Sequence, residues 1–142
     1  LGETVIGDLT QFQVSKSEKE QMEHEAVHKI LKGLLDCNQI ESLFLEFDAH
    51  ATKEAIFAYQ CDKLECDLQS KLYDEEGCVD LNNERKNELM ANEFVSKLFN
   101  TYSTWSEAWM RFGQQVYPYD ENFRAVSNFA IENDISETKI TK

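Results

Sequence analysis

The chain has 142 residues, the length of one domain, and is 42% apolar and 29% charged, so it can bury a core and is not a disordered tail. Fourteen Lys and Arg against 27 Asp and Glu leave a net charge of −13. That balance opposes binding along a long nucleic acid or docking on an anionic membrane, and it suits divalent cations, which favour carboxylate oxygens.

One proline and five glycines leave few strong breaks, and the predicted class is all-α. Residues Leu1 to Thr10 read as mid-domain sequence, with a helix ending at the glycine stop Gly7, and further residues are expected upstream of Leu1. Ser15 and Glu18 have capping-box spacing and open a helix that carries Val27, Ile30, Leu31, Leu34 and Leu35 on its core face, to about Asp36. A shorter amphipathic helix from about Asn38 to Asp48 buries Ile40, Leu43, Phe44 and Phe47. Thr52 is the N-cap of a helix to about Tyr73, with a core stripe of Phe57, Cys61, Leu64, Leu68 and Leu72. Beside it runs the polar stripe Asp62, Glu65 and Gln69. Asp62 sits at the seam between the two, where a part-buried carboxylate needs a partner.

Asp74 to Asn83 reads as a polar loop and Glu84 to Tyr102 as one helix. Thr104 and Glu107 form a second capping box before Trp105, Ala108, Trp109 and Phe112, and Pro118 ends that stretch. A last helix over about Asp120 to Asn133 buries Phe123, Val126, Phe129 and Ala130. The expectation is a single domain over 1–133 followed by a fraying polar tail, 134–142. No apolar run approaches the ~20 residues of a membrane span. Cys37, Cys61, Cys66 and Cys78 include no C-x-x-C pair, which suits a reducing, cytoplasmic compartment.

His24-Glu25-Ala26-Val27-His28 matches H-E-x-x-H, in which two histidines one helical turn apart hold zinc and the glutamate activates water. No third histidine follows, Glu41 and Glu46 being the nearest candidate ligands, and Lys29 puts a charge beside the second histidine. The neighbouring run from Glu18 to Glu25 looks like a solvated face. Two exposed histidines are therefore the preferred reading, with a zinc peptidase as the alternative and a non-catalytic helical interaction module as a third.

Two blocks resemble the HD-domain phosphohydrolases of the 5′-deoxynucleotidase branch. The first is Leu1-Gly2-Glu3-Thr4-Val5-Ile6-Gly7-Asp8-Leu9-Thr10, similar to the segment that follows the His-Asp pair in H-D-x-x-E-x-x-x-G-D-[IL]. The second runs from Glu46-Phe47-Asp48 through Thr52-Lys53-Glu54-Ala55 and Asp62-Lys63-Leu64-Glu65 to Leu68-Gln69 and Tyr73. The resemblance covers about residues 1 to 75. It implies an HD-type helical bundle that hydrolyses phosphate monoesters, chiefly 5′-deoxyribonucleoside monophosphates, with a divalent ion (Mn, Co, Mg, Ni, Fe or Zn). It also implies a small-molecule nucleotide as partner and a homodimer. Residue by residue, it implies that Asp62 is a metal ligand, that Glu3 orients or activates water and binds metal, and that Asp8 and the Leu9 carbonyl add metal contacts. Asp8, Thr10 and Gln11 are then the substrate contacts. The first histidine and the His-Asp pair of that family do not occur in the chain. Taken alone, Glu3 and Asp8 are a helix-end charge and a turn former, and Asp62 a salt-bridged helix residue.

Overall fold

The computed structural model describes residues 2–7, 9, 13–84 and 86–136, without the side chain of Leu89. Among these residues all regular structure is helical, as the pattern predicts. The chain divides into two compact units, Leu1–Ile56 and Phe57–Lys142, a division that falls within the expected single domain.

In the first unit, helix α1 (Glu3–Ile6) stops at Gly7, whose φ of 80° is a conformation that costs a glycine little. Helix α2 (Lys16–Leu31) starts on the predicted capping box, with the Ser15 and Glu18 side chains each bonded to the other's backbone N–H. It ends five residues before the expected Asp36. Gly33 and Asp36 take positive φ (92° and 58°), so the chain turns there, and Leu34 and Leu35 are exposed instead of buried. Ala26, Val27 and Leu31 form the buried strip of α2. Helix α3 (Cys37–Asp48) packs along α2, but Ile40 and Leu43 are exposed.

The turn into α4 (Lys53–Glu75) is built by two residues of the second block. Thr52 Oγ1 donates to Glu46 Oε1 and accepts the Ala55 N–H at 3.2 Å, which makes Thr52 the N-cap the sequence predicts.

In the second unit, α4 is the spine. Gln60, Asp67 and Asp74 recur every seven residues, two helical turns, and share one face. Each accepts a hydrogen bond from the C-terminal half. Gln60 Oε1 takes the Asp120 N–H at 2.7 Å, Asp67 Oδ2 the Tyr119 hydroxyl at 2.8 Å, and Asp74 Oδ2 both the N–H and the hydroxyl of Ser106, at 2.9 and 2.7 Å. The predicted loop after Tyr73 is shorter than expected, since α4 runs on to Glu75 and a single turn, α5 (Leu81–Glu84), follows.

The expected long helix over 84–102 is broken. A 3₁₀ turn occupies Glu88–Ala91, and α6 (Glu93–Thr101) restarts because the Asn92 side chain accepts the N–H groups of Phe94 and Val95. Thr104 caps α7 (Trp105–Val116), as predicted, and α8 (Glu121–Glu132) is capped by Asp120, whose side chain accepts the Asn122 and Phe123 N–H groups. Val95, Phe99 and Ala108 form one core cluster, with the stacked rings of Trp105, Trp109 and Phe112 against it. Leu64, Tyr119 and Phe123 form another. Val126 and Phe129 of α8 are exposed, contrary to expectation, as are Phe57 and Cys61 of the predicted α4 stripe. The tail is tied down at its start. Ile135 and Ser136 donate their N–H groups to Glu75, and Ser136 is buried.

Candidate functional site

Glu3 lies on the short α1, largely exposed, with Lys19 Nζ 3.2 Å from its carboxylate. Leu9 is half-buried. Asp8, Thr10 and Gln11 lie outside the described residues. Asp62 is on α4 in the second unit, and its side chain is 56% exposed, so the expected seam burial does not occur. Its partner is Lys63 Nζ at 2.8 Å. Lys63 also lies over the rings of Tyr59 and Tyr117, at 5.3 and 6.0 Å from their centres. Glu3 and Asp62 each therefore have a lysine partner within their own unit. Among the described residues no three His, Cys, Asp or Glu side chains gather as a metal site requires, so these residues do not by themselves form the centre that the resemblance implies.

The H-E-x-x-H residues serve another purpose. His24 Nε2 is 2.7 Å from Asp48 Oδ2, and His28 Nδ1 is 3.0 Å from Glu41 Oε1. Each ring has its own carboxylate on α3, and the His24 ring meets Phe44 edge-on. Glu41 is bonded to His28 and Glu46 to Thr52, and among the described residues neither gathers with both histidines as one metal site. The pair joins α2 to α3, which corrects the zinc-peptidase alternative.

Two features of the second unit were not singled out from the sequence. The first is Asp67, which is 1% exposed. Burial pushes its carboxyl up to about 6, against the lowering effects of the Tyr119 hydroxyl and of Lys63. Its Oδ2 lies 2.2 Å from where a Cβ on Gly113 would stand, so helix α7 approaches only because residue 113 is glycine. The seven-residue repeat of Gln60, Asp67 and Asp74 was the available signal. The second is a cleft of about 330 Å³ on the Asp62 face of α4, lined by Glu65, Gln69, Tyr73, Asn87, Trp105 and Trp109 among others. The stripe Asp62, Glu65 and Gln69 marked that face in the sequence, but not the indoles opposite it.

The helical fold agrees with what comparison with other proteins finds. Residues 1–101 match the HD domain family, and the chain belongs to it. It is 37% identical over 81 residues to a protein of Schizosaccharomyces pombe (strain 972 / ATCC 24843) described as 5′-deoxynucleotidase hdd1. That match takes in 52% of this chain and 41% of the relative, so the chain spans less than half of the relative's length. No solved structure matches it.

Proposed function

We propose that the protein is a metal-dependent hydrolase of phosphate monoesters acting on 5′-deoxyribonucleoside monophosphates. The observation that carries this reading is the 37% identity to a 5′-deoxynucleotidase, within a chain that belongs to the HD domain family. Charge supports the need for a cation. A chain at −13 repels a phosphate dianion, and phosphoryl transfer to water consists mostly of positioning and of neutralising that charge. Asp62, Glu3, Asp8 and the Leu9 carbonyl are the proposed oxygen contributors, with Glu3 also the group that orients water. Asp8, Thr10 and Gln11 are the proposed nucleotide contacts.

The test is phosphate release from a panel of nucleoside 5′-monophosphates by the full-length protein, with each of Mn, Co, Mg, Ni, Fe and Zn. The expected result is release from deoxyribonucleotides that a chelator abolishes and that Asp62→Asn lowers on the order of 10²-fold. No release with any divalent ion would overturn the reading.

A further inference from the structure

We propose that the cleft between α4 and α7 is a subsite for a flat, uncharged heterocycle, the base of the nucleotide, with Trp105 and Trp109 as its floor and Glu65 and Gln69 at its edge. The identity of the ligand rests on the phosphohydrolase reading, whereas the chemistry of the cleft stands on its own residues.

The size is right for a small ligand: about 330 Å³ is at the lower end of ordinary small-molecule sites. The lining suits a planar ring. The two indoles are parallel to within 10° with centres 6.5 Å apart, and Phe99 stacks on Trp105 from the core side at 4.2 Å. Packing on Phe99 and Phe112 holds them in place, so a ring entering the cleft meets a fixed aromatic wall. The polar groups define the ligand further. The lining is mostly apolar, with Glu65 exposed at its rim, where a carboxylate would repel an anion and accept from an amino-bearing base. Gln69, half-buried one turn further on, also lines the cleft, and an amide there can both donate to and accept from the edge of such a base.

Position connects the cleft to the proposed chemistry. Asp62, Glu65 and Gln69 lie on one face of α4, and Glu65 and Gln69 stand about 5 and 10 Å along the helix from Asp62. A nucleotide lying along this face would keep its base over the indoles and extend its phosphate toward Asp62. The opposite face of α4 is occupied by the Gln60, Asp67 and Asp74 hydrogen bonds, which fix the helix against the C-terminal half.

The two tryptophans of the sequence both line the cleft, so intrinsic fluorescence reports on it directly. The experiment titrates deoxyadenosine and deoxycytidine, which carry no phosphate and need no metal, into the protein in the presence of a chelator. The expected result is saturable quenching, weakened at least fivefold by Gln69→Ala and by Glu65→Ala, with thymidine binding less tightly and inorganic phosphate without effect. Trp109→Phe, which keeps an apolar ring, is expected to retain the fold and reduce the quench. Quenching that does not saturate, or that both polar substitutions leave unchanged, overturns the proposal. Quenching by nucleosides without phosphate release would keep the subsite and reject the hydrolase reading. Phosphate release with a KM unmoved by Gln69→Ala would do the reverse.

Discussion

Asp67 concentrates the energetic tension of the second unit in one carboxyl. A group moved from 3.8 to about 6 by burial disfavours the charged folded state by about 3 kcal/mol at high pH. Because the folded value is the higher one, this group's contribution is fully favourable below pH 3.8 and is lost as pH rises through about 6. Between pH 5 and 7.5 the loss is on the order of 1 kcal/mol, measurable by urea unfolding. Asp67→Asn should flatten that part of the pH profile while keeping the bond to Tyr119. Gly113→Ala is expected to destabilise by about 2 kcal/mol or more, since the new methyl meets the Asp67 carboxylate. The same substitution should cost clearly less in an Asp67→Ala background, and a double-mutant cycle measures that coupling. Additive costs would show that the two residues do not compete for the same space.

Between elements, the histidines of the H-E-x-x-H segment act as ties from α2 to α3. His24 is 40% and Asp48 30% exposed, so solvent screens the bond and its loss should cost no more than about 1 kcal/mol. His28 is 65% exposed, and its pair with Glu41 should be worth less. Unfolding of His24→Ala and His28→Ala proteins ranks the two, and neither substitution should change bound zinc. The segment could be recognised from spacing alone, but its role could not, because the deciding carboxylates lie 13 and 24 residues further on, on another helix. The break at Asn92 is a similar case. Helical periodicity continues through residues 84–102, yet the Asn92 side chain satisfies the first N–H groups of a new helix, and Asn92→Ala should cost about 1 kcal/mol.

For the molecule as a whole, pH acts in two directions on the second unit. Burial alone would raise Glu75, but the Ser136 N–H, Lys71 and the Ile135 N–H outweigh it and hold the carboxyl below its ordinary value. A lowered value means that its contribution is present at neutral pH and is lost as pH falls through the acidic range. Rising pH above about 4 works against Asp67 and falling pH against Glu75, so these two groups place the stability maximum in the acidic range and not at neutrality. Removing residues 135–142 should weaken the acid limb that Glu75 supplies, because two backbone donors go and Lys71 is the partner left among the described residues. An unchanged acid limb in the truncated protein would show that the tail does not hold Glu75. The exposed Phe57, Val126 and Phe129 show that an apolar helical stripe in the sequence does not by itself specify what covers it.

The sequence by itself determined the helical class, the caps at Ser15, Thr52 and Thr104, the stop at Gly7 and the family, because these depend on periodicity, neighbouring residues and motif spacing. The tertiary structure alone decided that His24 and His28 face carboxylates, that Asp67 is buried against a glycine 46 positions away, and that two indoles of α7 stand opposite the polar stripe of α4. Burial and long-range hydrogen bonding depend on which helix faces reach each other, and residue spacing within a single helix carries no record of that choice.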